Sequence, residues 1–183
     1  MSGFVVWITG LPASGKTTVA RLLAERLRGL GLKVELLDGD EVRRWLSSDL
    51  GFTREDREKH LTRVAHLCRI LARNGIAVIA SFVSPYRETR ARVRRIVEGE
   101  GIPFIEVYAE CSLKECIRRD PKGLYKRALR GEIRNMTGID DPYEPPEHPD
   151  VKVDTESSPP EEGAELVFRK LVALGLAEPQ VVG

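Results

Sequence analysis

The chain has 183 residues, 42% of them hydrophobic, and a formal net charge of +1, so one well-packed domain over residues 1–183 is the default. Nearly cancelling charge gives no general attraction to nucleic acid or an anionic membrane, and no apolar run approaches the roughly 20 residues that span a bilayer. Cys68, Cys111 and Cys116 form no C-x-x-C pair and no zinc-ligand spacing with His60, His66 and His148, so they read as small buried hydrophobes of a reducing compartment.

Met1-Ser2-Gly3 leads directly into the first apolar run without a signal-peptide pattern, which with the exclusions above points to the cytoplasm. Phe4 to Thr9 has the length and β-branched, aromatic content of a buried strand. Gly10-Leu11-Pro12-Ala13-Ser14-Gly15-Lys16-Thr17 follows and matches G-x-x-x-x-G-K-[ST]. Val19, Leu22, Leu23, Leu27 and Leu30 then recur at helical spacing, giving the motif its strand-loop-helix context. Glycines let backbone N–H groups curl round phosphate oxygens, and the following helix adds its positive end. Lys16 is placed to reach the β- and γ-phosphates, and the Thr17 hydroxyl to ligate the Mg²⁺ that accompanies the nucleotide.

Lys33 to Leu37 reads as a second strand that delivers Asp38-Gly39-Asp40 at its carboxyl end, where open parallel sheets bind ligands. Asp40 therefore points toward the phosphate loop or, alternatively, caps a helix beginning at Glu41. Thr53 to Asp56 resembles a capping box opening an amphipathic helix to about Asn74. Ile76 to Ala80 is a continuous apolar run typical of a central parallel strand. The helix beyond Ser84-Pro85-Tyr86-Arg87 carries Arg90, Arg92, Arg94 and Arg95, most simply a solvated face. The 21 Arg against 8 Lys suit bidentate phosphate or sulfate contacts, though for most of them surface ion-pair networks of a heat-adapted protein are the reading.

Pro103 to Ala109 supplies a fourth strand, and Ser112 to Glu115 a capping box for the next helix. Residues 118–147 are charged, poor in core residues and broken by Pro121, Gly123, Gly131 and Gly138, the composition of a functional lid. Val151 to Asp154 is a short fifth strand. Pro159 to Leu174 is a last helix with Ala164, Val167, Phe168 and Leu171 inward. Strands alternating with helices in this way imply an α/β three-layer sandwich on a mainly parallel five-stranded sheet, a P-loop NTPase of nucleotide-kinase type with a lid. The strand order is not readable from the sequence.

Gly10 to Thr17, Asp38-Gly39-Asp40 with Arg43, Gly51-Phe52 with Asp56-Arg57, Ser84-Pro85-Tyr86-Arg87, Asp120-Pro121-Lys122-Gly123-Leu124-Tyr125-Lys126 and Thr137-Gly138-Ile139-Asp140-Asp141-Pro142-Tyr143-Glu144 stand in one order. In that order they resemble the adenylylsulfate kinase (APS kinase) family. The resemblance implies transfer of the γ-phosphoryl of ATP to the 3′-hydroxyl of adenosine 5′-phosphosulfate (APS), giving 3′-phosphoadenosine 5′-phosphosulfate and ADP. Such a transfer needs positioning and charge neutralisation more than covalent chemistry. It implies that Gly10 to Thr17, with Thr18, Arg118 and Arg119, hold ATP and Mg²⁺. Asp40 would stand near the acceptor hydroxyl, as a base or through a metal-bound water, with Asp38 in support and Thr17 and Asp40 toward the metal.

By the same resemblance Arg43 and Arg57 grip the phosphosulfate, Phe52 stacks on its adenine, and Phe82, Val83, Ser84 and Leu124 line the acceptor site. Lys122 neutralises charge during transfer. Ser84 occupies the family's phosphoserine position, but in-line transfer between two bound nucleotides needs no covalent serine, and capping or hydrogen bonding is the alternative. The chain departs from the family pattern at His60, where Asn is usual, and at Met136, where Phe is usual. His60 is able to donate to a substrate oxygen and to titrate near neutral pH; Met136 offers a thioether to the adenine. A homodimer is implied, and no sulfurylase-type partner domain. The alternatives are another small-molecule or nucleotide P-loop kinase, and a nucleotide-binding switch, for which no Asp-x-x-Gly motif follows an apolar strand.

Overall fold

A computed structural model describes residues 3–179; Met1 and Ser2, expected to run straight into the first strand, lie outside the described residues. Five strands, β1 (Phe4–Thr9), β2 (Val34–Asp38), β3 (Ala77–Ser81), β4 (Phe104–Glu110) and β5 (Val151–Asp154), form one parallel sheet in the order β2-β3-β1-β4-β5. The helices are α1 (Lys16–Gly29), α2 (Gly39–Leu46), α3 (Arg54–Arg73), α4 (Arg87–Glu98), α5 (Leu113–Arg119), α6 (Leu124–Leu129) and α7 (Pro160–Ala173).

β1 is buried along its whole length, and its alternating side chains divide the core. Phe4, Val6 and Ile8 pack with Val19, Leu23 and Leu27 of α1 and Val167, Phe168 and Leu171 of α7. Val5 and Trp7 face the other way, onto Leu61, Val64 and Cys68 of α3 and Val93 and Val97 of α4. The period-2 alternation of a strand meets a helical stripe on each side, giving three layers. A buried Leu or Phe contributes roughly 1.5–3 kcal/mol here. Because β1 lies between β3 and β4, the loop leaving its carboxyl end opens at the centre of the sheet's ligand-binding edge.

Two expectations are corrected. Asp40 does not cap a helix from Glu41: α2 begins at Gly39, and Asp38 holds the cap position with extended backbone. Arg90 does not belong to a solvated face, being only 2% exposed. The region 118–147 is poor in core residues as expected, but its Tyr125, Ala128 and Met136 join Cys111 and Cys116 in a third apolar cluster, with Leu11, Leu113, Leu124 and Ile139 against it. The capping boxes are as expected, since Thr53 Oγ1 accepts from Asp56 N at 3.2 Å and Ser112 Oγ from Glu115 N at 3.2 Å.

Candidate functional site

The loop between β1 and α1 is wound for an anion. Ala13 and Gly15 adopt left-handed backbone (φ 65° and 90°), and Ser14 N donates to Leu11 O at 3.1 Å. The first turn of α1 carries no acidic residue and no side-chain cap, so its amides and the helix dipole are directed at the loop. Gly10 is required sterically: a Cβ there would lie 2.8 Å from both Ala109 O and Ser14 Oγ. Thr17 is half-buried and Thr18 exposed at the mouth of the helix.

Lys16 turns back into the loop, where Nζ donates to Leu11 O at 2.8 Å and Ser14 Oγ at 3.5 Å. Burial lowers its pKa to about 8, assisted by the Lys122 ammonium and opposed by the Asp38 carboxylate. Its charge is thus partly desolvated and partnered only by neutral oxygens, an arrangement that an arriving polyphosphate relieves. Burial pushes the Cys116 thiol up to about 12, so this neighbour stays protonated.

β2 and α2 bring Asp38 and Asp40 to the same edge, and the lid reaches them. Lys122 Nζ forms an ion pair with the Asp40 carboxylate, both side chains remaining 61% exposed. Around the loop, Tyr125 Oη donates to Pro12 O at 2.7 Å, and Leu11 and Leu124 pack on the third cluster. The Arg119 guanidinium lies 3.8 Å from the position of a Cβ at Gly15, held by Glu115 at 3.0 Å and Thr155 O at 2.7 Å. Arg118, by contrast, is exposed and paired with Glu115.

The residues expected at the acceptor side gather on α2, α3 and the loop between them. Arg43 lies 4.1 Å over the exposed Phe52 ring and donates to Leu50 O at 3.1 Å and Gly51 O at 2.7 Å. Arg57 stands 5.5 Å from the same ring and donates to Phe52 O at 2.9 Å and Asn135 O at 2.5 Å. Met136 is buried in the third cluster, its turn joined to Phe52 through Arg57. Burial first, then the Arg43, Arg63 and Arg57 charges, lowers the His60 pKa to about 4. Contrary to its expected titration near neutral pH, His60 is a neutral imidazole, its Nδ1 2.7 Å from Ser47 Oγ.

Phe82 lies beneath this surface, stacked on Trp7 with centroids 5.2 Å apart; Val83 presents its carbonyl to Thr9 Oγ1 at 2.7 Å. Ser84 is 3% exposed with φ 42°. Its hydroxyl accepts from Trp7 Nε1 at 3.0 Å and donates to Phe82 O at 3.1 Å. Arg90, absent from the expected site, donates to Ser84 O at 2.6 Å and to Glu144 O. With Tyr143 Oη 2.9 Å from Thr9 Oγ1, it clips the loop after β3 and the end of the lid to the strand that enters the phosphate loop. One signal for Arg90 was available: Tyr86, Arg90, Val93 and Val97 fall on one helical face, and all are buried.

A family model described as adenylylsulphate kinase matches residues 2–154. The chain is 58% identical to a probable adenylyl-sulfate kinase of Aeropyrum pernix over 172 residues, 94% of each chain. It is 49% identical to an adenylyl-sulfate kinase of Myxococcus xanthus over 177 residues, 97% of this chain and 95% of that one. A solved structure of the Mycobacterium tuberculosis APS kinase in complex with AMPPNP and APS superposes with a TM-score of 0.91 at 42% identity, over 93% of this chain and 98% of that one.

Proposed function

The chain belongs to the adenylylsulphate kinase family, and we propose that its phosphate loop, acidic strand end and lid together transfer the γ-phosphoryl of ATP to the 3′-hydroxyl of APS, making PAPS and ADP. The observation that carries this reading is the meeting of three segments: Lys16 of the loop, Asp38 of β2, and Lys122 of the lid seated on Asp40.

The donor sits in Gly10 to Thr17, with Thr18 at the helix mouth and Arg119, backed by Arg118, beside Gly15. The acceptor's phosphosulfate is gripped by Arg43 and Arg57, and its base stacks on Phe52 against Met136. His60, neutral, Phe82, Val83 and Leu124 shape the floor and wall of that site. Asp40 faces the acceptor hydroxyl as its proton acceptor. When the acceptor binds, Lys122 exchanges the carboxylate for the more negative transferring phosphoryl, which it neutralises. Asp38, at the cap of α2, supports the placement of Asp40. Ser84 takes no covalent part, because in-line transfer between two bound nucleotides needs none and its hydroxyl is buried, donating to Phe82 O and accepting from Trp7 Nε1.

Mg²⁺ fits the donor set, since the Thr17 hydroxyl and the exposed Asp40 carboxylate are hard oxygens and such an ion usually takes one or two protein ligands beside the phosphates. When bound it supplies charge neutralisation between the phosphates. The reading takes residues 1–183 as one unit with residues 118–147 as its lid, acting as a homodimer in the cytoplasm. Among the described residues no helix is long and apolar enough to cross a membrane, and light scattering checks the dimer. The decisive assay couples ADP release to NADH oxidation with APS present and absent, beside a panel of nucleosides, nucleoside monophosphates and sugar acids. ADP release dependent on APS, with 3′-phosphorylated product, is the expected result; equal release with another acceptor, or none with APS, overturns it.

A further inference from the structure

In the turn at residues 135–141 only Met136 has a task in the site above, yet the whole turn is built around one carboxylate. Asp140 Oδ2 accepts from Asn135 N at 2.7 Å, and Oδ1 accepts from Met136 N at 2.6 Å. Those two amides, with the carboxylate's own amide, hold its pKa below the usual range, so the charge persists through neutral and mildly acid pH. The turn is tightened further by Met136 O, which accepts from Ile139 N at 3.0 Å and from Asp140 N and Asp141 N at 3.2 Å each. Asn135 itself stands at φ 57°, a left-handed conformation that asparagine tolerates and a β-branched residue does not. The consequence is that Asn135 O points at Arg57 Nη2, 2.5 Å away.

Arg57 is 2.9 Å through Nε from Phe52 O and lies beside the Phe52 ring. One guanidinium thus joins the lid turn to the loop bearing Phe52. We infer that Asp140 and Asn135 are positioning residues for the acceptor nucleotide: Asp140 fixes the left-handed turn, and the turn's carbonyl fixes Arg57 and, through it, the loop that carries Phe52. The inference rests on the acceptor reading proposed above. It assigns to a lid carboxylate that touches no substrate a share in the Michaelis constant for APS.

Asp140→Asn leaves one of the two amides without an acceptor, because a carboxamide has a single oxygen to offer. Asn135→Val keeps Asp140 but penalises φ 57°, whereas Asn135→Gly preserves that conformation. Steady-state kinetics with APS and ATP varied separately, together with thermal melts, test the inference. The wild-type protein must first turn over APS; if it does not, the acceptor reading fails and this inference with it. Given turnover, Asp140→Asn and Asn135→Val are expected to raise KM for APS roughly fivefold, with kcat and KM for ATP within twofold and Asn135→Gly near wild type. An unchanged KM for APS, or equal losses toward both substrates, overturns the positioning role while leaving the acceptor reading intact. Should Asp140→Asn fail to fold, the Asn135 pair is read by the same criteria.

Discussion

Ser84 sits in a left-handed conformation, under Trp7 and against Arg90, its hydroxyl proton committed to Phe82 O and one lone pair to Trp7 Nε1. Removing its hydroxyl strands the buried indole N–H. Ser84→Ala is therefore expected to lower stability by about 1–3 kcal/mol while kcat stays within a few-fold of wild type. Urea melts and the coupled assay separate the two effects. His60 gives a pH signature of its own. Its pKa falls from an ordinary value of about 6.5 in the unfolded chain to about 4 in the fold. The unfolded chain then binds more protons between those values, so the neutral imidazole's contribution is complete above about pH 6.5 and is lost as pH falls toward 4. The change amounts to about 3 kcal/mol across the window. Denaturant melts at stepped pH should show it in the wild type and flattened in His60→Asn; equal slopes would place the acid sensitivity elsewhere.

The elements show why some of this was legible and some was not. Strand runs, the phosphate loop and both capping boxes were readable because each depends on neighbours in sequence. Thr53 illustrates the link to function: its side chain caps α3 one turn before Arg57. Thr53→Ala should cost about 1 kcal/mol and raise KM for APS more than KM for ATP, because fraying the first turn frees Arg57; a matched effect on both would detach the cap from the acceptor grip. Asp40 was open to a capping role because an aspartate after a strand is compatible with either use, and only the start of α2 at Gly39 decides. Arg90 was misread because charge composition outweighed its place on an apolar face. Its partners, Ser84 O and Glu144 O, lie 6 and 54 residues away in sequence. The third apolar cluster escaped notice for a similar reason: Cys111, Tyr125 and Met136 are scattered, and only the fold of the lid collects them. Strand order, set by crossovers, leaves no local trace.

At the scale of the molecule, the small net charge conceals an asymmetry. Between residues 114 and 134 the chain carries Lys114, Arg118, Arg119, Lys122, Lys126, Arg127, Arg130 and Arg134 against Glu115, Asp120 and Glu132, a surplus of five positive charges in a chain of net +1. The remainder is net negative, so the positive field is concentrated on residues 114–134, most of them in the part proposed as the lid. Some of these cations are internally paired, as in Arg118 and Arg119 with Glu115 and Arg127 with Glu132, but pairing leaves the sum unchanged. Lys126 and Arg130 are exposed on and just after α6, outside the predicted site, so they attract polyanions at a distance without gripping them. Such steering acts on encounter and is screened over roughly 8–10 Å at physiological salt. Raising ionic strength from about 0.02 to 0.2 M should therefore depress kcat/KM for ATP and APS several-fold while kcat changes little. Lys126→Gln combined with Arg130→Gln should weaken that salt dependence with kcat preserved. If the double variant keeps the full salt slope, the field that gathers substrate arises at the phosphate loop and the acceptor arginines alone.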